Sequence, residues 1–133
     1  MDNLINVFFN PDIMVKVWPF LLQGLWMTVL LSLTVVPLGL LGGLGVALAG
    51  NQGPRWLRWT TVVYVDFFRA FPPLVLLILI YFGLPFLGID MPKFAAVAMG
   101  FLLNTSSYYG EVFRAGLESV PRGQMEAARS TGL

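Results

Sequence analysis

The sequence predicts an all-α fold, an integral membrane helical bundle with three transmembrane helices, and three observations carry that expectation. Residues 17–54 contain no charge, and two further uncharged runs follow at 70–89 and 94–110. The composition, 57% hydrophobic and only 11% charged, is far from the roughly 25% charged of soluble domains. A hydrocarbon core of roughly 30 Å needs about 20 apolar residues at about 1.5 Å of helical rise each. The first run is ample, the second fits and the third is slightly short.

The same composition excludes several functions. Eight Lys and Arg against seven Asp and Glu leave no broad basic surface, so no nucleic-acid partner is expected. With no cysteine and no histidine there is no thiolate nucleophile, no disulfide framework, no zinc finger and no ordinary neutral-pH general base. No catalytic residue, metal site or cofactor is expected. The start, Met1-Asp2-Asn3-Leu4, lacks the basic region of a cleavable signal, and the first apolar run exceeds a signal's apolar segment, so it is read as a retained spanning helix.

In order along the chain, residues 1–19 form an N-terminal extracytoplasmic segment and the first span runs over about 20–49. Gly39, Gly43 and Ala47 recur every four residues there, a small-residue seam that lets another helix approach closely. Pro37 removes a helix hydrogen bond in the same run and is expected to kink it. Residues 50–55, Gly-Asn-Gln-Gly-Pro-Arg, are turn chemistry. Residues 55–70 then suit an interfacial amphipathic helix, with Trp56, Trp59 and Tyr64 as anchors at headgroup depth. Asp66 and Arg69, three apart, are expected to pair there. Pro72-Pro73 breaks the helical ladder before a second span at about 71–87, and a third follows at about 94–113. Residues 20–113 thus form the transmembrane domain. Arg55, Arg58, Arg69, Arg114, Arg122 and Arg129 fall on one side and only Lys16 and Lys93 on the other, so residues 114–133 are predicted cytoplasmic and the N-terminus outside.

Residues 119–133, Ser-Val-Pro-Arg-Gly-Gln-Met-Glu-Ala-Ala-Arg-Ser-Thr-Gly-Leu, are the most specific stretch. Pro121 suits a first helical turn, residues 124–130 hold good helix formers, and Gly132 suits a left-handed cap. A helix this short is marginal alone and needs something to dock against. Met125, Ala128 and Gly132 share a small face, with Glu126 and Arg129 as flanking polar contacts. This segment resembles the EAA loop of ABC-importer permeases, Glu-Ala-Ala followed by three residues and then Gly, at Glu126, Ala127, Ala128 and Gly132. The preceding Val120, Pro121, Gly123 and Gln124 resemble the Val-Pro-x-Gly-Gln run of the polar amino-acid (histidine/glutamine/arginine-type) permeases. Tyr108, Glu111, Arg114 and Gly116 are similar to that family's third-helix pattern. Tyr64, Phe68, Arg69, Pro72 and Leu74 are similar to its second element, and Gly24, Thr28, Ser32 and Ala47 fit its opening. Ala70, Phe71, Ser107 and Thr131 depart from the usual residues.

The resemblance implies a non-catalytic subunit of a bacterial inner-membrane importer for a small polar amino acid, moved by ATP-driven alternating access. Its implied partners are cytoplasmic ATPase subunits, a second permease subunit, identical or different, and an extracytoplasmic solute-binding protein. Gly123, Gln124, Glu126, Ala127, Ala128 and Gly132 would couple to the ATPase. The family's fold has roughly five helices and continues past Leu133, so the chain is expected to be a piece of a longer permease, ending within the loop. Within the third span, Asn104, Tyr108 and Glu111 make a polar stripe and are the candidate substrate pathway, since lipid cannot satisfy such groups. The plainer reading is that Glu111 pairs with Arg114 and Asn104 bonds another helix. The alternative function is a small membrane scaffold or assembly protein that conducts nothing.

Overall fold

A computed structural model describes residues 10–132, and among these every element is helical. Five helices follow in order: α1 Pro11–Gln52, α2 Arg55–Ala70, α3 Pro73–Phe86, α4 Lys93–Glu118 and α5 Arg122–Ser130. Residues 1–9 of the expected N-terminal segment lie outside the described part, as does Leu133, while residues 11–19 belong to α1.

Helix α1 begins where Asn10 caps it, its side-chain oxygen accepting the amides of Asp12 at 3.0 Å and Ile13 at 3.4 Å. Pro11 then occupies the first turn, where its missing N–H costs nothing. The helix runs 42 residues and continues through Pro37 without interruption. The chain divides into two compact units, residues 1–33 and 34–133. In the first, α1 is apolar and exposed nearly all round, as Phe20, Trp26 and Leu33 illustrate. Such a surface suits lipid rather than water.

The second unit is built on α4. Its buried residues are all small, from Ala96 and Gly100 through Asn104, Ser106 and Ser107 to Gly110. Packing in lipid rewards that choice, because small side chains let backbones approach. A methyl group added at Gly43 would stand 2.5 Å from Tyr109 Cβ, and one at Gly39 would stand 2.7 Å from Thr105 Cγ2. The seam expected at Gly39, Gly43 and Ala47 is therefore real, and α4 fills it. On another side Gly100 receives Leu77 of α3, and Gly110 receives Val46 of α1.

Several boundaries differ from expectation. The first turn is shorter, because α1 extends to Gln52 and Gly53 N–H still bonds Ala49 O at 3.0 Å. Arg58 makes this possible. Its guanidinium donates to the carbonyls of Gly53 and Asn51, each at 2.9 Å, satisfying the orphan acceptors of the helix end. The second span is also shorter than expected: α3 has 14 residues, a rise of about 21 Å. Pro72 and Pro73 account for the loss, since Phe71 and Pro72 are extended and α2 meets α3 at 98°. Among the described residues one helix, α1, is long and apolar enough to cross a membrane, and the bent α2–α3 pair is a second if it acts as one span. Helix α3 ends in a Schellman motif, with Gly88 at φ 77° and Ile89 N–H reaching back to Leu84 O at 3.1 Å.

Candidate functional site: an exposed short helix and a charged cavity

The end of the chain forms the element the sequence promised. Helix α5 has nine residues, starts directly after Pro121 and stops at Thr131. Gly132 follows at φ 85°, the left-handed region where glycine meets no Cβ penalty, and its amide returns to Arg129 O. Ser130 and Thr131 hydroxyls bond the carbonyls of Ala127 and Ala128, closing the last turn. Nothing in α5 is buried. Met125 is 53% exposed and Gly123 and Gly132 have open space around them, while Gln124, Glu126 and Ala127 are also exposed and Ala128 is half-buried. All six residues expected to couple therefore lie on or directly beside one short helix with no packing partner among the described residues.

The expected polar stripe of α4 divides in two. Asn104 is buried, and its amide donates to Phe68 O at 3.1 Å, tying α4 to α2. Tyr108 is 44% exposed, with the Arg69 guanidinium 5.2 Å from its ring centre. Glu111 lies 4.0 Å from the same Arg69 and accepts two hydrogen bonds from Arg114, one of them from Nε at 3.1 Å. Arg69 thus draws Tyr108 and Glu111 together, whereas Asn104 belongs to the packing between helices. The expected Asp66–Arg69 pair is replaced. Arg69 reaches across to α4, and among the described residues no cation lies within ion-pair distance of Asp66.

Tyr64, expected as a headgroup anchor, instead docks on α4 through Ser106 Oγ at 2.7 Å and Leu103 O at 3.1 Å. Trp56 and Trp59 do stay exposed on α2. Between α1, α2 and the end of α4 lies a cavity of about 390 Å³, edged by Arg58, Asp66, Arg69, Glu111, Arg114 and Glu118. Sequence reasoning missed Arg58 and Glu118 in this cluster. The spacing of Glu111, Arg114 and Glu118 by three and four residues was the available signal for the latter. Arg58 gave none, because its partners are backbone carbonyls.

A lipid-compatible helical subunit that presents a capped, unpacked helix at its end is the class this arrangement defines. Residues 36–133 match the family model of the binding-protein-dependent transport system inner membrane component, and the chain belongs to that family. It is 37% identical over 125 residues to the probable amino-acid ABC transporter permease protein YckA of Bacillus subtilis (strain 168), covering 94% of this chain and 55% of that protein. It is 34% identical to the probable glutamine ABC transporter permease protein GlnM of the same organism, over 93% of this chain and 57% of that one. The crystal structure of an amino acid ABC transporter with histidines superposes with a TM-score of 0.81 at 39% identity, covering 90% of this chain and 56% of that one. The chain spans about half the length of the curated relatives it matches.

Proposed function

We infer that this chain is part of the membrane-spanning, non-catalytic subunit of an ATP-binding-cassette importer for polar amino acids, and that α5 is its coupling element. The observation that carries the reading is α5 itself, a nine-residue helix with nothing buried, held by a left-handed glycine cap. A helix of this length does not persist on its own propensity, so it needs something to dock against. The partner proposed is a cytoplasmic ATPase subunit, with Gln124, Glu126 and the Ala127–Ala128 face at the contact and Gly123 and Gly132 bounding it. A second permease subunit and an extracytoplasmic solute-binding protein complete the assembly.

In this reading α1, α3 and α4 cross the bilayer while α2 lies at its interface, with residues 1–19 outside and 114–133 in the cytoplasm. Helix α4, at 26 residues, rises about 39 Å and is long enough, and its polar side chains are turned onto α2. Tyr108 and Glu111, with Arg69, mark the solute pathway, and Asn104 holds its wall. Closure of the ATPase pair displaces α5, and the displacement reorients the spanning helices between outward and inward openings. The test is co-purification. The full-length protein is expected to bring down an ATPase and to lose it when Glu126 and Gly132 are replaced. A stable membrane complex without any ATPase supports a scaffold instead.

A further inference from the structure

The packing that holds α4 runs out before α4 does. Gly110 is its last buried residue, and the two turns that follow, 111–118, contain none. On the α2 side those turns edge the 390 Å³ cavity. Gly116 weakens the same stretch, since glycine in a helix costs about 1 kcal/mol relative to alanine. A Cβ there would meet nothing within 4 Å, so no close approach requires a glycine at this position. Three residues later the chain leaves for α5. Among the described residues, α5 therefore joins the bundle through two turns that bury no residue and contain a soft point.

Among the described residues an ionic ladder braces them. Arg114 donates through Nε and Nη2 to Glu111 on the preceding turn, and through Nη1 to both oxygens of Glu118 on the following one, at 2.8 Å. Glu111 in turn faces Arg69 of α2 at 4.0 Å. The arginine fork is what makes the ladder continuous, because one planar guanidinium grips carboxylates above and below, which a lysine ammonium does not. Single exposed ion pairs are worth little, but here several share one cation on a rigid backbone.

We propose that Arg114 is a positioning residue: with Glu111 and Glu118 it braces the end of α4 into a stiff arm that transmits the motion of α5 to the rest of the bundle. This rests on the coupling reading above. It goes beyond that reading by naming how the force crosses an unpacked segment, and why a soft glycine is tolerated there.

This chain has no cysteine, and the test uses the full-length protein with any cysteine elsewhere replaced, so that introduced cysteines are unique. Spin labels at Thr60 on α2 and Gln124 on α5 of the full-length protein, held in lipid vesicles with a co-purified ATPase lacking cysteines, report a distance distribution without needing the solute. The parent is expected to give one narrow distribution. Arg114→Met should broaden it at least twofold, Glu118→Gln less, and adding Gly116→Ala to Arg114→Met should restore the parent width by stiffening the helix directly. An unchanged width in Arg114→Met overturns the proposal. So does a broadened width that Gly116→Ala leaves broad, because Arg114 would then act on something other than helix stiffness. Failure to co-purify an ATPase with the unmutated protein counts against the coupling reading instead, while the widths still decide the arm.

Discussion

Gly132 is the residue whose chemistry is hardest to replace. At φ 85° any other L-residue meets a steric penalty of about 1–2 kcal/mol, which lowers the population of the capped helix by a factor of roughly 5–30. Gly132→Val is therefore expected to cut solute uptake in vesicles by about tenfold while ATP hydrolysis continues, measured as solute moved per ATP hydrolysed. Gly43 is constrained differently, by a neighbour rather than by its own backbone. Gly43→Leu drives a side chain into the backbone and Cβ of α4 and should lower thermal stability in detergent by about 1–3 kcal/mol. Asn104→Ala removes the only side-chain bond between Phe68 O and α4 and should cost about 1 kcal/mol in the same measurement.

The elements show what a sequence can and cannot announce. Small-residue spacing announced the seam of α1, and proline with glycine announced both ends of α5, because those signals are local. The limits of α2 were legible from its amphipathic run between Pro54 and Phe71. The docking of Tyr64 on Ser106 was not, since a tyrosine that anchors at a headgroup and one that bonds another helix have the same sequence context. For the same reason Arg69 was assigned to Asp66, its neighbour in sequence, when Glu111 of another helix was nearer in space. The second span was overestimated because an apolar run counts the extended residues around Pro72 as helix. If α2 rides at headgroup depth, Trp56 and Trp59 should be quenched at least twofold more by lipids brominated near the headgroup than by those brominated deep in the chain, in a variant with Trp18 and Trp26 changed to Phe. Equal quenching at both depths would instead place α2 within the bent span.

For the whole molecule, two surfaces set the account. One is the apolar exterior of α1, which water does not tolerate. The other is α5, polar, small and unpacked, which lipid does not tolerate. The first surface agrees with membership of the inner-membrane transport family, and the second is the one we propose meets a soluble partner. The measurement that bears on this most directly is a cross-link. With a single cysteine in place of Arg122, an exposed residue of α5 outside the proposed contact, inner-membrane vesicles treated with a short thiol-to-amine reagent should yield one adduct joining the chain to an ATPase subunit. Labelling of that cysteine in intact cells by a thiol reagent that cannot cross the membrane, with no adduct formed, would contradict the account.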